Sequence, residues 1–153
     1  MENIKQFVSD SDQFARHSGM ELLEVATGYA KVSMLIMGHH FNGAKIVHGG
    51  AIFTLADFAF AAAANSHGKI AVSINASISF IKAATAGVLI AEAKEISLNS
   101  KLGNYIVNIT DQENDLIAVY QGTAYRKNDE LPLRPTPVQS HGSSMDIDES
   151  SRR

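Results

Sequence analysis

The hydrophobic pattern predicts one long apolar helix in the middle of the chain. From Gly50 to Ala64 only Thr54 and Asp57 are polar, and apolar residues surround most of the helical circumference. A helix with this pattern is buried on most of its sides. No lysine or arginine lies one turn from Asp57 on this helix, so any partner of its carboxylate comes from another segment. Proteins retain a buried carboxylate either for a satisfied hydrogen-bond network or for chemistry.

Alternating polar and apolar residues predict strands on both sides of this helix. The alternation is cleanest from Val72 to Phe80, where every second residue is apolar. One face of such a strand packs on the core, so we expect these apolar residues to face the helix. They are Val72, Ile74, Ala76, Ile78 and Phe80. The predicted strands span residues 21–27, 29–37, 72–80, 88–98, 105–111 and 116–126.

These elements predict an α+β fold in which a curved antiparallel sheet of about six strands wraps one long central helix. A short helix over residues 4–17, with Phe7 and Phe14 among its apolar contacts, precedes the sheet. We expect one domain over residues 1–127. Residues 128–153 hold all three prolines, followed by a Ser-rich, charged stretch without periodicity. That composition is typical of a disordered tail.

Composition excludes several classes of protein. The chain of 153 residues is 45% hydrophobic, enough for the core of one domain. A formal net charge of -3 gives no basic field for nucleic acid. The absence of cysteine excludes disulfides, cysteine nucleophiles and thiolate metal sites. The N terminus has no signal-peptide pattern and no apolar run is long enough to span a bilayer, so we expect a cytoplasmic protein without nucleic-acid or membrane partners.

A glycine pair marks the start of the long helix. Gly49 and Gly50 follow His48 where the apolar periodicity begins. The first amides of a helix lack intrahelical partners and lie at the positive end of its dipole, and glycine lets another group approach them closely. Such amides can stabilise a developing oxyanion. A tight turn from loop to helix also uses a glycine pair, and the two interpretations stay open on this motif alone.

Asn42 and His48 add a carboxamide and an imidazole to the loop before the helix, and each can bond a carbonyl oxygen, a sulfur or a water. Asp57 and Gly49 are about two helical turns apart, roughly 12 Å along the axis. One thioester cannot touch both groups of the same chain. If both act on one carbonyl carbon, they come from different subunits, which predicts a homodimer with composite sites.

Several segments of the sequence together resemble one known family. They are Asn42, His48-Gly49-Gly50, Phe53-Thr54-Leu55-Ala56-Asp57, Asn65-Ser66-His67-Gly68 and Gly122-Thr123-Ala124-Tyr125-Arg126. Over roughly residues 10–127 the chain resembles the hotdog-fold acyl-CoA thioesterases of the phenylacetic-acid-degradation type. The resemblance implies a hotdog fold, hydrolysis of an acyl-CoA thioester, and a homotetramer built as a dimer of dimers. No separate cofactor is implied, because CoA is part of the substrate.

The resemblance also implies roles for individual residues. The backbone N–H of Gly49 would form the oxyanion hole, with Gly50 beside it as a substrate-binding residue. Asp57 of the facing subunit would act as general base on water or as nucleophile. Asn42 would position that water or the carboxylate, and His48 would bond near the thioester and fix the loop.

The sequence departs from the family pattern in two places. Some relatives carry a hydroxyl one turn after the acid or on the next strand, where this chain has Ala61 and Asn75. Asn75 could hydrogen-bond to the attacking water, whereas Ala61 cannot. Residues 80–84 lack the Arg-Pro pair often seen in relatives. Lys82 in this segment either meets a CoA phosphate as a point charge or is a solvated lysine at the end of a strand.

Other kinds of site have weaker support. The six histidines do not show the spacing of metal ligands, so we expect no metal. The His39-His40 pair lies in a predicted loop, where such residues usually face solvent or substrate. There is no G-x-S-x-G motif for serine-hydrolase chemistry.

Three functions remain open on the sequence. Thioester hydrolysis matches the aspartate and the glycine pair best. Its candidate substrates are aryl-acetyl and medium-chain acyl-CoA esters. A hotdog dehydratase or hydratase would use His48 of one chain and Asp57 of another as an acid and base pair. A non-catalytic acyl-CoA-binding protein would use the same scaffold without turnover. If burial desolvates Asp57, its pKa is expected to be raised.

Overall fold

The computed structural model describes residues 1–133 and shows a six-stranded antiparallel sheet wrapped around one long helix. The α+β class and the hotdog architecture are confirmed. Along the sheet the strand order is β1-β2-β4-β5-β6-β3. The helices are α1 (Glu2–Ser11), α2 (Gln13–His17) and α3 (Gly49–Asn65), with a 3-10 turn at Gly38–His40. The strands are β1 (Met20–Ala26), β2 (Tyr29–Leu35), β3 (Lys69–Phe80), β4 (Val88–Leu98), β5 (Leu102–Thr110) and β6 (Leu116–Glu130).

The core lies between α3 and the inner face of the sheet. Nine residues of α3 are buried, all of them apolar, as the sequence predicts. The largest fully buried side chains include Phe60 of the helix and Tyr105 and Tyr120 of the sheet. Both tyrosine rings pack on the ring of Phe60, with centroids 5.4 and 5.7 Å away. No helix in residues 1–133 has the length and apolar character needed to span a bilayer.

The N-terminal segment differs from the single helix that was predicted. It forms α1 and α2, which meet at Asp12, a residue in an extended conformation. The Asp12 carboxylate accepts a hydrogen bond of 2.9 Å from the Ala15 N–H and so caps α2. After this break Phe14 points away from the core, and its side chain is exposed. The prediction that Phe14 makes apolar contacts is therefore wrong, whereas Phe7 does pack against the core.

Strand β3 does not present one continuous apolar face to α3, contrary to the prediction. Its pairing with β6 shifts register between Ser73 and Asn75, which marks a β-bulge. Ser73 lies opposite Ala124, which is buried. Residues paired across two strands point to the same side of the sheet. The side chain of Ser73 therefore points toward the helix.

The bulge moves two of the predicted core residues out of the core. Val72 lies opposite the exposed Tyr125, and Ile74 sits within the bulge with 57% of its surface exposed. Beyond the bulge, Ile78 is opposite the buried Tyr120 and packs against the core. Alternation alone therefore gave the correct face for Ile78 and the wrong face for Val72 and Ile74.

The last strand continues past its predicted end at residue 126. Strand β6 reaches Glu130, and Leu131 is buried, with its N–H bonded to the Gly68 carbonyl at 2.9 Å. Residues 128–130 therefore belong to the last strand and Leu131 is buried, so this part of the predicted tail is ordered. The rest of the predicted tail, residues 134–153, lies outside the described residues.

Candidate active site

The loop before α3 is held by a buried histidine. The Nδ1 atom of His40 accepts a hydrogen bond from the Met37 N–H at 2.9 Å, and its Nε2 atom lies 2.8 Å from the Ser18 carbonyl oxygen. The His40 carbonyl oxygen accepts the His48 N–H at 2.7 Å. Of these two loop histidines, which were expected to face solvent or substrate, His39 is exposed, whereas His40 is buried and does not face solvent.

Replacing His40 with leucine is expected to lower the free energy of unfolding by about 2 to 4 kcal/mol, because two backbone groups lose their partners. Urea denaturation measures this change. The matched control is His39→Leu, which removes an exposed imidazole from the neighbouring position and is expected to have little effect. Equal losses in the two variants would show that the hydrogen bonds of His40 do not hold the loop.

His48 caps the first turn of α3. Its Nδ1 atom accepts a hydrogen bond of 2.8 Å from the Gly50 N–H, so the Gly50 amide is already occupied. The Gly49 N–H has no hydrogen-bond acceptor among residues 1–133. A Cβ atom added to Gly49 would lie 2.9 Å from Cζ of Phe80. Of the two glycine amides, that of Gly49 is therefore available to an external oxygen, and Gly50 serves the cap.

A pocket of about 310 Å³ opens beside Gly49. Asn42 and Lys82 line it together with apolar Ile52 and Phe80. The structure thus brings together three of the residues that the sequence predicts for the site, namely Asn42, Gly49 and Lys82. Asp57 is not part of this pocket.

The Asn42 side chain shapes the loop that forms one wall of this pocket. Its Oδ1 atom accepts hydrogen bonds from the N–H groups of Ala44 at 2.9 Å and Ile46 at 3.3 Å. The oxygen is therefore engaged within the loop. The Asn42 NH₂ group is the part of this side chain that remains as a donor to a bound molecule.

Lys82 forms ion pairs with acidic residues of the β5–β6 turn. Its Nζ atom is hydrogen-bonded to the Asp115 carboxylate and lies 3.8 Å from the Asp111 carboxylate. The side chain is half exposed. Lys82 is thus at the rim of the pocket, as a partly solvated and ion-paired lysine just after the end of β3, and both alternatives for its role stay open. A phosphate that approached it would compete with Asp115.

Asp57 lies half-buried on α3 and is bonded to a tyrosine of the sheet. The Tyr120 hydroxyl donates to Oδ1 of Asp57 at 3.0 Å. Burial raises the pKa of Asp57 above its ordinary value of 3.8, as expected. The hydrogen bond from Tyr120 lowers this pKa and the negative charge of Asp12 raises it, both by less than burial does.

Sequence reasoning missed two residues that bear on Asp57, Tyr120 directly and Ser73 through Tyr120. Tyr120 is fully buried, and Ser73 lowers the pKa of its phenol. Burial, the charge of Asp57 and the hydrogen bond to it raise the pKa of Tyr120, so this phenol is a donor at neutral pH. A tyrosine at an inward position of a predicted strand was the available signal, but it is equally typical of a core residue.

Asn75 is not brought to Asp57. It lies opposite Thr123, whose hydroxyl donates to the Asn104 side chain at 2.7 Å on the outer face of the sheet. The bulge gives the inward position to Ser73 instead. The hydroxyl of Ser73, two positions before Asn75, therefore lies on the face of the sheet that is turned toward the helix.

Comparison with known proteins agrees with this geometry. Residues 44–118 match the family described as the thioesterase superfamily. A protein of Archaeoglobus fulgidus named "Putative esterase" is 44% identical over 133 residues, which are 86% of each chain. Acyl-coenzyme A thioesterase PaaI of Escherichia coli is 33% identical over 76% of this chain and 84% of its own.

Solved structures show the same relationship. The structure of the E. coli PaaI protein from the phenylacetic acid degradation operon superposes with a TM-score of 0.80 at 30% identity, covering 84% of this chain and 96% of that one. The structure of a point mutant of the phenylacetic acid degradation protein PaaI from Thermus thermophilus gives a TM-score of 0.73 at 31% identity, covering 76% and 100%. The chain therefore belongs to the thioesterase superfamily, among its PaaI-like members with the hotdog fold.

Proposed function

We propose that the protein hydrolyses acyl-CoA thioesters in a composite site, with Gly49 of one subunit as the oxyanion donor and Asp57 of the facing subunit as the base or nucleophile. The observation that carries the proposal is the pair of groups presented by α3. One is an unoccupied amide at its first turn, and the other is a half-buried carboxylate with a raised pKa. Amides aimed at a carbonyl oxygen and a carboxylate near a water are the parts that thioester hydrolysis needs.

In the general-base route, Asp57 accepts a proton from water as the water oxygen bonds to the thioester carbon. The carbonyl oxygen gains negative charge and accepts a hydrogen bond from the Gly49 N–H. The tetrahedral intermediate then collapses, the carbon–sulfur bond breaks, and the CoA sulfur takes up the proton that Asp57 had accepted. In the nucleophilic route, a carboxylate oxygen of Asp57 bonds to the thioester carbon, the CoA thiolate leaves and is protonated by water, and a second water hydrolyses the resulting mixed anhydride to the free acid and Asp57.

The surface of β3 supports a subunit contact beside these groups. Within residues 1–133 this strand pairs only with β6, so one of its edges is open. Ile74 and Phe80 of this strand and Ile81 directly after it are each more than half exposed. Long, apolar open edges are usually covered in an assembly. Two copies joined along β3 would bring Asp57 of one chain toward Gly49 of the other, and two such dimers would form the tetramer.

The hydrogen bond of His48 argues against a dehydratase in which His48 is the base. Its Nδ1 atom accepts from the Gly50 N–H, so in the neutral ring the proton is on Nε2. A base at this position needs an unprotonated Nε2 facing the substrate. His48 instead acts as a helix cap and presents an N–H.

Combining two inactive variants is expected to restore activity if the site is composite. One chain carries Asp57→Asn, which removes the base, and the other carries Gly49→Pro, which removes the oxyanion amide. Each composite site takes its amide from one chain and its carboxylate from the other. In mixed dimers one of the two sites carries neither change, so coexpression should give roughly a quarter of wild-type activity under random pairing. Thiol release by the coexpressed protein measures it. A site built within one chain predicts no recovery, because every chain carries one change.

The activity itself is tested by the release of free CoA from a panel of aryl-acetyl, hydroxyaryl and medium-chain acyl-CoA esters. A thiol reagent detects CoA, and the cysteine-free protein contributes no background. Release above the uncatalysed rate supports the proposal and ranks the acyl groups. Hydration of an enoyl-CoA without thiol release would favour the dehydratase, and binding without turnover would favour an acyl-CoA-binding protein.

A further inference from the structure

Tyr120 is held rigidly against Asp57. Its ring is fully buried and makes an edge-on contact with Phe53 and a tilted contact with Phe60, with centroids 5.4 and 5.7 Å away. Side chains packed in this way keep one rotamer. The hydroxyl therefore stays at Oδ1 of Asp57, at the 3.0 Å distance of an ordinary hydrogen bond.

A second hydroxyl acts on the same phenol. Ser73 points inward because of the bulge that separates it from Asn75, and it lowers the pKa of Tyr120. A phenol whose pKa is lowered is a stronger hydrogen-bond donor to Asp57. The influence of Ser73 thus reaches one oxygen of the carboxylate through Tyr120.

We propose that Tyr120 is a positioning residue for thioester hydrolysis, which holds Oδ1 of Asp57 and leaves Oδ2 as the oxygen that meets water or the thioester carbon. This inference rests on the proposed function. A carboxylate rotates freely about its last bond, and its two oxygens exchange roles. Fixing one oxygen gives the other a defined direction, and misplacement of a reacting group is costly to the rate.

The same contact predicts a direction for the pH dependence. The groups that act on Asp57 are Tyr120 from β6 and Asp12 from the cap of α2. The Tyr120 hydrogen bond favours the ionised carboxylate, while burial and Asp12 oppose it. Loss of the hydroxyl therefore raises the pKa of Asp57. Since the ionised form is the active one, the acid limb of the pH–rate profile moves to higher pH.

The chain supplies a matched control for Tyr120→Phe. Tyr105 is also fully buried, also packs edge-on against Phe60, and also donates to a carboxylate, that of Glu95, at 2.7 Å. Glu95 is bonded to His67, which follows the C-terminal end of α3 and lies away from Asp57 along the helix. Tyr105→Phe thus removes the same atom from a similar environment outside the site.

For Tyr120→Phe we expect kcat to fall about 10- to 100-fold, KM to change little, and the acid limb to move to higher pH. Tyr105→Phe is expected to lower the thermal midpoint by a similar amount and to leave kcat and the pH profile unchanged. If the wild type releases CoA and the two variants have the same kinetics, the inference fails and the proposed function stands. If the wild type releases no CoA from any ester, both fail.

Ser73→Ala keeps the test decisive if Tyr120→Phe does not fold. This variant removes one hydroxyl from a strand residue that is exposed in the single chain. A weaker donor at Tyr120 should again move the acid limb to higher pH, with a smaller loss of kcat. An unchanged profile in a folded Ser73→Ala protein overturns the proposed action of Ser73 and Tyr120 on Asp57.

Discussion

Replacing Asp57 with asparagine is expected to lower kcat for thioester hydrolysis by about 10²- to 10⁴-fold, because an amide cannot accept the proton of water or attack the thioester. The asparagine oxygen can still accept the hydrogen bond that Tyr120 donates to Asp57, so the packing of the site should persist. Thiol release at saturating substrate measures the loss.

The matched control for this substitution is Asp12→Asn. Asp12 is a second acidic group that acts on Asp57, and asparagine is as good a helix cap as aspartate. We expect this variant to stay active. Because the negative charge of Asp12 raises the pKa of Asp57, removing it should move the acid limb of the pH–rate profile to lower pH. Similar losses of kcat in the two variants would show that Asp57 is not the base or nucleophile of the reaction.

The same substitution of Asp57 should stabilise the protein at neutral pH. Burial raises the pKa of Asp57 above 3.8 in the folded state, so the folded state binds its proton more tightly than the unfolded state does. The contribution of the protonated group to stability is lost as pH rises through the raised pKa. Asp57→Asn avoids that loss, and its thermal midpoint should exceed that of the wild type.

Calorimetry of the wild type and of Asp57→Asn as a function of pH tests whether the substitution raises the thermal midpoint. The gain in thermal midpoint should fade as pH falls below 3.8, where Asp57 is protonated in both states. A variant that is inactive but more stable identifies a carboxylate kept for chemistry at the expense of stability. A variant that is less stable at neutral pH would instead identify Asp57 as a structural residue in a satisfied network.

The parts of this fold that sequence predicts are those set by local periodicity. The apolar stretch of α3 and the alternation in the strands reflect the burial of each segment, and this pattern is visible in the sequence of the segment alone. The bulge in β3 is different, because the register of pairing with β6 decides it. Neither glycine nor proline marks it in Ser73-Ile74-Asn75. The face of Val72 therefore could not be read from its own strand.

The candidate site divides in the same way. Gly49 and Asp57 stand out within one continuous segment, as a glycine at a helix start and an acid in an apolar helix. Tyr120 is separated from Asp57 by 63 positions, and His40 acquires its role only from the distant Ser18 carbonyl. A tyrosine in a strand and a histidine in a loop have many ordinary environments. Only the fold shows which groups they contact.

Removing the Gly49 N–H is expected to lower kcat by about 10²- to 10³-fold, the usual effect of losing one oxyanion donor. Gly49→Pro makes this change at a position that tolerates it. Gly49 is the first residue of α3, where proline is favoured. The ψ angle of His48 is already 134°, which is within the range that a residue before proline adopts. The helix should therefore form normally without this one donor.

Gly49→Ala separates the lost hydrogen bond from the added volume. Alanine keeps the N–H but brings a Cβ atom to 2.9 Å from Cζ of Phe80, as proline also would. The crowding at Phe80 is thus common to both variants. The alanine variant should therefore lose much less activity than the proline variant, with the difference in kcat rather than in KM, because an oxyanion donor acts mainly on the transition state. Equal losses would assign the effect to crowding at Phe80 and leave the amide without a role in catalysis.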